Sequence, residues 1–220
     1  MKLLIKNYFE LNTWLVFFVL IAIYSIALTI EFRFVFTDDL YLGLQASKKS
    51  LENIQNLISS ERKSQWINYP ITILIVLIPS LLISFCLNIG TVIKEYKTSF
   101  IKLFEIAVKA QMVFAINYLL SIVLKATGVI HFSLTTVNNN YNFQSALIFF
   151  DNKVLPYWLI YPIQCINLTE IVHILILSIG VSWLLQIKFL KALTFVALWY
   201  GIGLLFWIIF TVFLQTIIYI

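Results

Sequence analysis

The sequence predicts an all-α, polytopic membrane helix bundle, with about five transmembrane helices in one integral membrane domain and an amphipathic helix in the first loop. Three observations carry this reading. Of the 220 residues, 61% are hydrophobic and 11% charged, against about 45–50% and about 25% in soluble domains; a soluble chain so composed would expose large apolar patches. The apolar residues fall in continuous runs of about twenty, the length of a helix that crosses a hydrocarbon core of ~30 Å, whereas a membrane β-barrel needs alternating segments of about ten. The charges cluster between those runs, where they mark turns and orientation.

The first span is placed at residues 12–30, NTWLVFFVLIAIYSIALTI, with Trp14 as an interfacial anchor. Lys2 and Lys6 ahead of it imitate a secretory signal, but the run is long and no small-x-small cleavage site closes it, so it reads as an uncleaved span. Glu31, Arg33, Asp38 and Asp39 end it. In the loop 40–66, Leu44, Leu51, Ile54, Leu57 and Ile58 recur at helical spacing, with Lys48, Lys49, Arg62 and Lys63 on the polar side. This is an amphipathic helix suited to the membrane surface or a partner. The second span, 71–93, contains Pro79, which removes a backbone hydrogen bond and predicts a kink.

Lys94, Glu95, Lys97 and Lys102 form the next turn, and the third span, 104–124, is the most polar, carrying Glu105, Lys109, Gln111 and Asn117. The connection 126–161 holds Asn138, Asn139, Asn140 and Asn142 and an apolar piece, Ala146 to Phe150, too short to cross. Pro156 and Pro162 delay helix formation, so the fourth span is expected at 167–187 with Asn167 or Thr169 as N-cap. Lys188 and Lys191 make a short turn into the fifth span, 192–218.

Five spans put the chain ends on opposite sides. Short loops on the N-terminal side carry Lys2, Lys6, Lys94, Lys97, Lys102, Lys188 and Lys191, while the longer loops opposite are diluted by Asp38, Asp39, Glu52, Glu61 and Asp151. The positive-inside rule then predicts a cytoplasmic N-terminus and an external C-terminus, in the inner or plasma membrane if the source is bacterial. The basic residues behind the net charge of +5 fall in short clusters between the apolar runs, which suit orientation and anionic headgroups and not nucleic acid, whose binding calls for a contiguous basic face. Cys86 and Cys165 lack CxxC or Cys/His spacing, so neither a structural disulfide nor a metal site is expected.

The charged and polar residues near the spans are the candidates for function. Glu105 and Lys109 stand four apart, the favourable order for a helical ion pair, and with Gln111 and Asn117 they make the third span the best candidate for lining a polar pathway; the plainer alternative is that Lys109 snorkels to the cytoplasmic surface and Glu105 only pairs with it. Glu170 and His173 stand three apart and share a helix face at the start of the fourth span. A Glu-x-x-His pair can ligate iron or manganese, but such bundle sites use two pairs and two further Glu, and this chain has one pair. The plainer role is a hydrogen-bonded polar pair. Small residues four apart, Ser80 and Ser84, Ser178 and Ser182, Ala197 and Gly201, allow close helix approach within one chain or between copies. No GxSxG, phosphate-binding glycine loop or HExxH occurs, so no catalytic residue, metal or cofactor is expected.

The segments LLISFCLNIGTVIKEYKTSFIKLFEIAVKAQMVFAINYLL and PIQCINLTEIVHILILSIGVSWLLQIKFLKALTFVALWYGIGLLFW resemble the Yip family of five-span membrane proteins. The likeness covers roughly residues 81–206 and rests on Gly90, Phe100, Phe104, Leu168, Gly180, Lys191 and Ala192. It implies a five-span fold with a cytoplasmic N-terminus. Members that work with small GTPases use a long N-terminal region, and here only about eleven residues precede the first span. From the residues themselves the expectation is a non-enzymatic accessory or assembly factor that uses the amphipathic first loop and the small-residue helix faces to hold its partners, the bilayer and a membrane protein or second copy; the alternative is a homo-oligomeric channel or small transporter with a polar path past Glu105, Lys109, Asn117, Glu170 and His173.

Overall fold

Where a helix starts is decided by which side chain satisfies its free N–H groups, and where it stops by whether the next charge finds a partner. The computed structural model describes residues 7–37, 51–130, 144–150 and 155–218. The first part of the amphipathic loop, 40–50, with Lys48 and Lys49, and the segment 131–143, with His131 and the Asn cluster, lie outside the described residues, as do the side chains of Leu51, Ile54 and Leu57.

Helix α1, Thr13–Ile30, begins where the Asn12 side chain accepts the Trp14 N–H at 2.9 Å. It was expected to end at Glu31 but continues as a π-helical turn, Glu31–Val35, in which both named residues are buried. Helix α2, Leu51–Ser64, runs through a 3-10 turn, Gln65–Ile67, into α3, Asn68–Ile93. The amphipathic helix is thus joined to the second span, which is continuous from Ile58 to Ile93. Helix α3 stays helical through Pro79, beside which the Ser80 and Ser84 hydroxyls donate to the carbonyls of Val76 and Ser80.

The third span is longer than the apolar run alone predicts. Ser99 caps α4, Phe100–Ala110, and α5, Met112–Ala126, follows after Gln111, whose N–H is shared between the carbonyls of Ala107 and Val108. Beyond it, Ala146–Phe149 is a 3-10 turn tied to the Asn167 region by a backbone bridge, and α6, Tyr157–Cys165, is a short helix directly after Pro156. The two prolines therefore do not hold off helix formation: Pro156 precedes a first turn, a position where its fixed φ is tolerated. Asn167 caps α7, Leu168–Leu185, by accepting the Glu170 N–H at 2.7 Å, and α8, Phe189–Ile218, completes the chain.

Five of these segments are long and apolar enough to cross a membrane, and the described regular structure is helical. This is a multi-pass integral membrane protein. The α4–α5 span is the most buried; it packs on α1, α3 and α7, while α8 closes the bundle against α3 and α7 and reaches α6. One core cluster joins Leu87, Leu103, Ile106, Leu177 and Val196 with Phe9 from the turn ahead of α1; a second joins Val16, Leu20, Val76, Val108 and Ala115. The outward side chains, such as Phe18, Phe85, Phe206 and Phe213, are apolar and exposed, as lipid-facing residues are.

Candidate functional site

Polar side chains inside a hydrocarbon environment need partners, so where they meet shows what they do. Three clusters occur in the bundle. In the first, Lys109 is 2% exposed, and its Nζ donates to the Phe9 carbonyl at 2.7 Å. Tyr8 returns the contact, its hydroxyl donating to the Lys109 carbonyl at 2.7 Å. Burial pushes the Tyr8 phenol up to about 12, so it keeps its proton at neutral pH. The Phe9 ring stacks on Trp183 at 6.2 Å and rests against Gly180. A Cβ at Gly180 would lie 2.5 Å from Ile106 Cγ2 and 2.7 Å from Phe9 Cε1, so only glycine leaves room for this ring. Glu105, one turn before Lys109 and partly buried, acts on its charge from a distance.

The second cluster ties the π-helical turn to α5. Tyr118 donates to Glu31 Oε2 at 2.5 Å, and Lys125 and Glu31, each 8% exposed, attract one another. The third lies between α7 and α8. Tyr200 donates to Glu170 Oε1 at 2.5 Å, and the same oxygen lies 3.8 Å from His173 Nδ1. His173 is 0% exposed, neither ring nitrogen has a hydrogen-bond partner, and its ring sits 4.7 Å from that of Phe114 and 5.4 Å from that of Tyr200. At the end of α6, Cys165 is close enough to feel Glu170, and burial, with that carboxylate, pushes its thiol up. Tyr161 accepts the Trp207 Nε1 hydrogen at 3.0 Å, which ties α6 to α8.

The predicted pathway residues are only partly brought together. Phe114 opposes His173, and Ile106 opposes Gly180, so α4–α5 and α7 run antiparallel. Lys109 precedes Phe114 by five residues, which at ~1.5 Å per residue puts it ~7.5 Å along the axis from the His173 level; Glu105 is a turn farther still. Asn117, partly buried, falls near the Glu170 level on the same count. Glu170 and His173 do share a face, as their spacing predicts. Among the described residues no three His, Cys, Asp or Glu side chains converge as a metal site.

Of the small-residue pairs, Ser80, Ser84 and Ser178 are buried, and the Ser182 hydroxyl donates to the Ile187 carbonyl at the end of α7. Ala197 is exposed, and a Cβ at Gly201 would meet nothing within 4 Å, so this pair makes no close approach within the chain. Sequence reasoning missed Tyr8, Phe9, Glu31, Tyr118, Lys125 and Tyr200. Two signals were there to read: an aromatic pair in a polar leader ahead of a span, and the apolar residues that resume after Glu31. Tyr118 and Tyr200 carry no local signal, because a tyrosine in an apolar helix reads as packing. No family model, curated protein or solved structure matches the chain.

Proposed function

We propose that this membrane protein is a non-enzymatic accessory or assembly factor, acting by lateral contact with a membrane-embedded partner or a second copy, with its N-terminus in the cytoplasm. One observation carries the reading: Lys109, Glu31 and Glu170 each bind a different segment of the same chain, fastening the leader turn, the π-helical turn and α8. Charges used this way hold a scaffold together. The scaffold's outer surface is apolar, and α8 offers the longest stretch of it. Its first half buries Ala192, Phe195, Val196 and Tyr200, whereas Ile202, Phe206, Phe210 and Phe213 face outward.

A photoreactive residue in place of Phe206, 68% exposed, tests the reading in native membranes. It is expected to give a discrete protein adduct, while the same residue in place of the buried Val196 gives none. Lipid adducts alone from the Phe206 position would overturn the proposal. The second reading, a homo-oligomeric channel or small transporter with a polar path past the third and fourth spans, draws on His173 and on Gln111 Nε2, both buried without partners. It requires solute or ion flux in liposomes that Glu170→Gln removes.

A further inference from the structure

We propose that the two basic turns on the N-terminal side of the bundle form one binding site for an anionic phospholipid that carries two phosphate groups. The inference uses the five spans and their order, and is independent of the accessory reading. Because the spans alternate in direction, the end of α3, the start of α4, the end of α7 and the start of α8 all lie on the side where α1 begins. The α3–α4 turn carries Lys94, Lys97 and Lys102, and the α7–α8 turn carries Lys188 and Lys191. All five are exposed, and none is held in an ion pair among the described residues. The two turns touch. The Tyr96 ring meets the Phe195 ring edge-on at 5.8 Å, and Trp199 of α8 lies so close on Gly90 of α3 that a Cβ there would collide with the indole.

The chain's own acids do not balance this face. Within the two turns the one acid is Glu95. Glu105, farther along α4, is partly buried and acts on the Lys109 charge, and Glu10, ahead of α1, already has a partner. The lysines also stand where a cation is least favourable. Lys102 and Lys191 are each the third residue of a helix, the place where a capping box puts Glu or Gln. Neither helix has an acid in its first turn, so a lysine faces the positive end of the dipole in both. An anion from outside the chain offsets both effects. The backbone marks the same two turns. Among the described residues the two non-glycine residues at positive φ are Glu95, at 56°, and Gln186, at 54°, one in each turn. Strained backbone of this kind gathers at ligand clamps, where a fixed shape is needed. Gln186 is held in place by its own Nε2, which donates to the Trp183 carbonyl at 2.6 Å.

The neighbours of the lysines identify the anion as a lipid headgroup. Val92, Ile93, Ile101 and Leu190 flank them in sequence and are exposed apolar side chains. The ammonium groups therefore stand where acyl chains give way to phosphates, at the reach of a snorkelling lysine. An acidic protein segment would meet lysines set off from the apolar surface. Each turn brings its own cations, so a lipid with two phosphates engages both at once and one with a single phosphate reaches one. Orientation in the membrane requires only that the lysines lie on this side. It does not require the two turns to pack together, or a lysine at the third position of both helices.

Native mass spectrometry of the full chain, released from micelles that hold cardiolipin and phosphatidylglycerol at equal total phosphate, tests the site without any variant. One cardiolipin should stay on each chain in preference to phosphatidylglycerol by about tenfold or more, since each lysine near an anionic surface contributes about fivefold. Lys188→Gln with Lys191→Gln should weaken cardiolipin binding by about tenfold or more, and so should Lys97→Gln with Lys102→Gln. Arg62→Gln with Lys63→Gln removes the same charge at the far end of α3, where α2 joins it, and should leave binding unchanged. Equal retention of the two lipids, or retention of neither, as for a face that meets an acidic protein segment, overturns the proposal. So does a loss confined to one turn's lysines, or an equal loss from the Arg62 and Lys63 pair.

Discussion

At the scale of single residues, polar side chains inside the bundle tie distant segments together, Glu31 and Glu170 through tyrosine hydroxyls and Lys109 through the Phe9 backbone. Lys109 was legible as an unusual charge in an apolar run. Its partner, the Phe9 carbonyl, was not, because a backbone acceptor leaves no mark in the sequence. Lys109→Met should destabilise the fold by about 1–3 kcal/mol, the range for stranding a buried hydrogen-bonding group, read as a lower thermal midpoint in detergent. Gly180→Ala should cost about 1–3 kcal/mol by overpacking against Ile106 and Phe9. Gly201→Ala, where a Cβ meets nothing, should be neutral or add about 0.5–1 kcal/mol, because glycine inside a helix is less favourable than alanine. Equal losses at both glycines would contradict the packing described. The Tyr8 phenol has its folded-state value raised to about 12 from an ordinary 10.0. Its clamp on Lys109 is therefore complete below pH 10.0 and lost as pH rises through about 12, and Tyr8→Phe should remove that part of the alkaline unfolding curve.

At the scale of elements, hydropathy located the five long helices, while caps and partners set their ends. Asn167 was readable as an N-cap from its residue type and position, and it caps α7. Helix α1 ends at Ile30, where the apolar run ends, but the π-helical turn Glu31–Val35 that continues it has no mark in the sequence, because it depends on Tyr118 and Lys125 keeping Glu31 inside. The join between α2 and α3 was hidden for a similar reason: polarity falls and rises there without a break in the helix. The end of α3 carries a second kind of information. Glu95 has φ 56°, and the N–H groups of Glu95 and Tyr96 bond the carbonyls of Val92 and Thr91, the pattern that glycine usually completes. Glu95→Gly should stabilise the fold by about 1 kcal/mol, as removing a Cβ from a left-handed residue does; a lower thermal midpoint would show that the glutamate side chain makes a contribution larger than the strain.

At the scale of the whole molecule, composition alone identified an integral membrane bundle, but not the order in which its helices pack. That order depends on pairings such as Phe9 with Gly180 and Tyr200 with Glu170, which join residues far apart in the chain. The basic turns at Lys94, Lys97, Lys102, Lys188 and Lys191 favour an N-terminus in the cytoplasm, and a periplasm-active reporter should work when fused at the C-terminal end and fail at the N-terminal end. The central claim is that buried charges fasten segments to one another and do not line a route through the membrane. Flux across proteoliposomes containing the full chain tests it most directly: vesicles should be as tight to potassium and chloride as protein-free ones, whereas flux that Lys109→Met or Glu170→Gln abolishes would contradict the account.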